Sequence, residues 1–223
     1  MDRITDAFSW PTRDRQWIGK VALMGLVLLV PIAGLITAIG WMLATLDRLR
    51  AGDQTLAPAG FQHLRRGARL FVVDVGYAIG MALVSLAVYV PAVTVMSQEG
   101  RGPVNGGLIA LGVGLSFLSF GILTLCSLVF TFATPAIVLA TDRRGIGAGL
   151  NVGGVLRMAR ASITNTLFAG LMLIAASFVG MLGAIVCGIG VLFTAAYSLA
   201  MQAWIVRSYE IGSAEDSPSP VST

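Results

Sequence analysis

Long apolar runs separated by short polar intervals set the layout of the chain. Residues 1–16 are polar, and Trp10 and Trp17 suit a membrane interface. From Ile18 to Leu46 the chain is apolar over 29 residues, with Lys20 at its edge and Pro31 and Gly34 inside. A helix crosses the hydrocarbon core in about 20 residues. This run therefore predicts either one tilted, Pro-kinked helix or two half-helices folded at Pro31 into a hairpin. A second span is predicted from about Phe71 to Met96. The turn-rich connection 97–107 that follows carries only Glu99 and Arg101 as charges. A third span begins near Leu108 and is expected to lose its hydrogen-bond ladder at Pro135. Residues 164–206 predict two more spans, joined by a tight turn around Cys187, Gly188 and Gly190.

Two polar intervals repeat one design. Between Asp47 and Phe71, Phe61, Leu64, Ala68 and Phe71 recur at spacings of three and four, while Arg65, Arg66 and Arg69 fall elsewhere on the wheel. Between Asp142 and Ser162, Val152, Val155, Leu156 and Ala159 form an apolar side, and Arg143, Arg144, Arg157 and Arg160 supply charge. Each interval predicts a basic amphipathic helix lying along the headgroups, and its arginines form a candidate surface for anionic lipid. A span, an Asp-Arg step, a basic surface helix and another span thus occur twice, 95 positions apart.

Composition narrows the class. Apolar residues make up 56% and charged residues 12%, with a mean hydropathy of +0.84, so the chain lacks the polar surface of a soluble domain. The fold expected is an all-α polytopic membrane bundle with four full spans plus an N-terminal Pro-broken hairpin, five spans being the alternative. It divides into a polar segment at 1–16, one helical membrane domain at 17–209, and a Pro- and Ser-rich tail at 210–223 expected to be disordered. The N-terminus mixes acids and bases without a small-residue cleavage site, so no removable signal peptide is indicated. Charge separates the two topologies. The hairpin places fourteen of the fifteen Lys and Arg on one side, with Arg101 opposite, whereas a single crossing splits them ten and five. The positive bias of cytoplasmic loops favours the hairpin, with both termini cytoplasmic. The net charge of +4 is accordingly an orientation signal, and nucleic acid is not an expected partner.

Candidate chemistry is sparse. Asp74 is the acid placed inside a span, where pairing with Arg69 or Arg66 and a proton or cation site are the competing roles. His63 stands alone at the interface, without a second His, Cys or Glu at ligand spacing, and no Ser-His-Asp or Cys-His set can be assembled. Cys126 and Cys187 lie in apolar runs as small buried hydrophobes. No catalytic, metal or cofactor residue is assigned, and no cofactor is expected. Small residues are more informative. Gly76 and Gly80, and the stripe Ala176, Gly180, Ala184 and Gly188, fall every four residues and let helices approach closely, within the chain or in an oligomer.

Two stretches carry a family resemblance. The arginine-containing step, the loop with Pro58, then Phe61, Gly67 and Tyr77, resembles the domain-of-unknown-function 4013 family of prokaryotic membrane proteins, although Ala59 stands where that family commonly has an aromatic. FATPAIVLATDRRGIGAGLNVGGVLRMAR is similar to a wider group of polytopic domains, some fused to glycerophosphodiester phosphodiesterases. The resemblance implies a helical inner-membrane domain and brings no functional residues. The function expected is a non-enzymatic accessory or scaffold subunit of a larger membrane assembly, with anionic lipids and other membrane proteins or further copies as partners. A transporter or channel for a small or hydrophobic solute is the alternative.

Overall fold

The structure, a computed structural model, describes residues 2–99, 106–184 and 189–215, and every regular element among them is helical. In order they are α1 (Asp2–Ser9), α2 (Trp17–Leu28), α3 (Ala33–Arg50), α4 (Leu64–Glu99), α5 (Gly106–Arg144), α6 (Ile146–Leu150), α7 (Val152–Ala161), α8 (Ile163–Leu182) and α9 (Ile189–Glu215). Among the described residues three helices are long and apolar enough to cross a bilayer: Phe61–Ser97, Gly106–Arg144 and Ile163–Leu182. The all-α membrane bundle read from the sequence is the fold observed. The chain forms two compact units, Met1–Val73 with Phe132–Thr223, and Asp74–Thr131.

In the larger unit α9 is the central post, with α2, α3 and α8 packed on it. Its small residues Ala196 and Ala200 leave room for Trp10, Met24 and Trp41, all fully buried. The first apolar run is a folded hairpin. Lys20 Nζ and Arg48 Nη1 both donate to the carbonyl of Leu56, at 2.8 and 3.3 Å. In one continuous helix their Cα atoms would stand about 42 Å apart. The reversal is made at Pro31 and Ile32, where Ala33 N donates to Pro31 O at 2.6 Å across an Ile32 at φ 62 and ψ −62. That is a γ-turn of the strained hand, on a β-branched residue. Gly34 then lets α3 pass, since a Cβ there would land on the Val27 carbonyl. The loop after α3 folds back along it, with Trp41 Nε1 donating to Ala57 O at 2.8 Å and Asp14 Oδ2 accepting from Leu56 N at 3.0 Å.

The first basic elbow differs from expectation. Its amphipathic stretch is not a separate surface helix: a short turn at Phe61–His63 leads into α4, which runs unbroken to Glu99. The face turned to the protein is Gly67, Leu70 and Val73, while Phe61 and Leu64 are exposed. Two glycines select that face. A Cβ on Gly40 would strike the His63 carbonyl, and one on Gly67 the Ile36 carbonyl, so α3 and α4 cross backbone to backbone. Pro135 likewise does not end its helix, and α5 continues through it to Arg144. Proline removes one donor, and the turns on either side keep the ladder. The second elbow does contain a separate helix, α7, capped by Asn151 Oδ1 accepting from Gly154 N at 3.0 Å, with Val155 and Ala159 buried.

The α8 stripe meets α9. Ala176 is buried, a Cβ on Gly180 would sit 3.5 Å from Ser198 Cβ, and Thr194 Oγ1 donates to Gly180 O at 2.7 Å. Beyond Gly180 the close approach moves to Gly183, where a Cβ would meet Gly190 O, while Ala184 is exposed past the helix end. Gly188 and Cys187 lie outside the described residues. At the C-terminus α9 continues to Glu215, so helix occupies the first residues assigned to the disordered tail. Residues 216–223 lie outside the described residues, as does Arg101.

The smaller unit is an antiparallel pair formed by α4 from Asp74 and α5 to Thr131. Tyr77 packs tilted against Phe130 with ring centroids 5.4 Å apart, Ser119 Oγ donates to Ser85 O at 3.1 Å, and Gly112 faces Met96. Gly80 has open space around it and Gly76 is half-buried. Ser116 and Thr124 bond back to their own helix, so neither joins helices.

Candidate functional site

Polar chemistry concentrates where α3, α4, α5 and α9 end together. Asp47 and Asp142 are the acids of the two Asp-Arg steps, and both hold the same two arginines. Arg66 donates to both oxygens of Asp47 and to Asp142 Oδ1 at 2.9 Å. Arg50 Nη1 donates to Asp142 Oδ2 at 2.7 Å and to Asp47 Oδ1 at 3.1 Å. Through Nε, Arg50 also reaches Glu210 Oε2 at 3.0 Å. Glu210 is 9% exposed and accepts further from Arg143 at 2.5 Å and Arg207 at 3.0 Å. Four arginines thus face three carboxylates, and Arg50 Nη2 is buried with no hydrogen-bond partner among the described residues.

Electrostatics follow from this geometry. Burial works to raise the Glu210 carboxyl, but hydrogen bonds from Arg50, Arg143 and Arg207 outweigh it and hold the group down at about 2. Burial likewise opposes ionisation of Asp47, and Arg66 and Arg50 together keep it below its ordinary value. Such charge-assisted bonds hold four helix ends in register. The knot is a fastening in which Asp47 and Glu210 stay ionised throughout the physiological range.

Beside the knot a cleft of about 470 Å³ opens between α4 and α5. Gln62, Arg65, Arg66 and Arg69 line one wall, at the spacing that places four residues on one helical face. Thr141 and Asp142 line the other, and Leu43, Leu70 and Val138 make the apolar part. Arg66 is committed to the knot, whereas Arg65 and Arg69 are exposed and have no ion-pair partner among the described residues. Thr141 Oγ1 is buried against Gly149, with no hydrogen-bond partner among the described residues.

A family model described as protein of unknown function (DUF4013) matches residues 23–189, well over half of the chain. The chain belongs to the DUF4013 family. No curated protein and no solved structure matches it. The DUF4013 region contains Asp47, Arg50, Arg66, Asp142 and Arg143 together with the cleft, whereas Arg207 and Glu210 lie beyond it.

The remaining candidates are dispersed. Arg144, Arg157 and Arg160 are exposed, without an ion pair among the described residues. His63 Nε2 lies 2.9 Å from Pro58 O, at the surface. Asp74 has no ion-pair partner among the described residues, and Arg66 is spent on Asp47 and Asp142. Among the described residues no three His, Cys, Asp or Glu stand where they would hold a metal ion. Sequence reasoning missed Glu210 and Arg50. The available signals were the i,i+3 pair Arg207–Glu210 at the end of an apolar run and Arg50 three residues after Asp47.

Proposed function

We propose that the chain is a non-enzymatic accessory or scaffold subunit of a larger membrane assembly, seated in a prokaryotic inner membrane with both termini cytoplasmic. The observation that carries this reading is the α4–α5 pair. The most apolar windows of its two helices are only 6% and 11% buried within the chain. Phe117 and Phe120, three residues apart and therefore on one face, are 74% and 70% exposed. Aromatic knobs on the exposed face of that helix pair suit the groove of a neighbouring membrane protein. The carboxylates of the knot are used in holding helix ends together, which fits a structural role. Shared sidedness of the termini is supported by Asp14 and Lys20 gripping Leu56 of the first elbow while Glu210 grips Arg50. Positive charge concentrated there supports the cytoplasmic side, with Arg65, Arg69, Arg144, Arg157 and Arg160 on anionic headgroups. The test is purification in mild detergent. A stoichiometric membrane-protein partner supports the subunit reading, while a lone chain that binds or moves a solute overturns it. The break at Ile32 favours transport as the second reading, since discontinuous helices line transport sites.

A further inference from the structure

We propose that the cleft beside the ionic knot is a discrete site for the phosphate group of an anionic amphiphile. Its wall of Gln62, Arg65 and Arg69 presents an amide and two guanidinium groups on one helical face. Neither guanidinium has a carboxylate partner among the described residues, so both are free to donate to an incoming anion. Arg66, at the centre of that wall, is held by Asp47 and Asp142, and this fixes the geometry of the face without consuming its neighbours. Across the cleft stand Thr141 and Asp142; the Thr141 hydroxyl is buried against Gly149, so donation to an anion falls to Gln62 and the two arginines. Phosphate oxygens match such a set of donors, guanidinium groups above all.

The apolar part decides the kind of phosphate. The buried Leu43, Leu70 and Val138 give the cleft its apolar part, and the exposed Phe61 and Leu64 lie in the turn before α4 and at its first residue. A wall of arginines and an apolar part in one cavity of about 470 Å³ suit a headgroup with the start of its acyl chains. The inference rests on the reading of this face as the one at the headgroups. It sharpens that reading from a diffuse charged surface to one bound molecule.

The test counts phosphatidylglycerol on the purified full chain by native mass spectrometry, with melting curves showing that each variant is folded. Wild type is expected to retain one tightly held lipid. Arg65→Gln with Arg69→Gln is expected to weaken it about tenfold or more, as loss of charge-assisted bonds implies. Arg157→Gln with Arg160→Gln removes the same charge from α7, outside the cleft, and is expected to leave that lipid in place. Equal loss in both double variants would leave the headgroup surface standing and overturn the site. Retention in both would overturn it as well. Glycerol 3-phosphate and inorganic phosphate identify the source: binding of either as tightly as the lipid, sensitive to Arg65 and Arg69, would overturn the amphiphile in favour of a soluble phosphate.

Discussion

Asp47 and Asp142, 95 positions apart, hold the same two guanidinium groups, those of Arg50 and Arg66. The two halves of the sequence echo therefore meet at one point. If this sharing fastens the bundle, Arg66→Gln and Asp142→Asn should not add. A double-mutant cycle on thermal or denaturant stability in detergent should give a coupling of about 1 kcal/mol or more. Additive losses would mean that the pair contributes nothing as a pair.

Glu210 makes the knot acid-sensitive. Its carboxyl falls from 4.5 in the unfolded chain to about 2 in the fold, so the stabilisation is complete above the unfolded value. It is then lost progressively as pH falls through about 4.5 towards 2. Melting temperature should decline over that interval in wild type and less steeply in Glu210→Gln. That variant should also start lower at pH 7, by about 3 kcal/mol, because three arginines lose a nearly buried partner. Parallel pH profiles would remove Glu210 from the explanation.

Close helix crossings separate the glycines. Gly67→Ala drives a Cβ into the Ile36 carbonyl, which is backbone and cannot swing aside. It should cost about 1–3 kcal/mol. Gly80→Ala enters open space and should leave stability unchanged or slightly raised. Equal melting temperatures for the two variants would contradict the α3–α4 crossing.

What the sequence made legible was periodicity along single helices. The apolar runs, the break near Pro31 and the two basic elbows all follow from local pattern. The hairpin was reached from charge distribution, and the shared Leu56 carbonyl gives it a geometric basis. What stayed hidden depends on which helices meet. Arg66 and Arg143 read as lipid-facing because their carboxylate partners lie 19, 76 and 67 positions away. Gly40 carried no signal of its own, because its role exists only against the start of α4, at the His63 carbonyl and Gly67. Glu210 was assigned to a tail by the composition of the residues after it.

The hairpin reversal stores strain at Ile32, whose positive φ suits glycine. Ile32→Gly should relieve it, so the variant should melt at or above the wild-type temperature, by about 1 kcal/mol at most. A drop of several degrees would show that the exposed Ile32 side chain matters more than its backbone.

The subunit reading is tested most directly by a photoreactive amino acid placed at Phe117 or Phe120 in native membranes. The account predicts one discrete protein adduct from both positions, identifiable by mass spectrometry and absent when the probe replaces Met181 on α8. Adducts with lipid alone at Phe117 and Phe120 would contradict it.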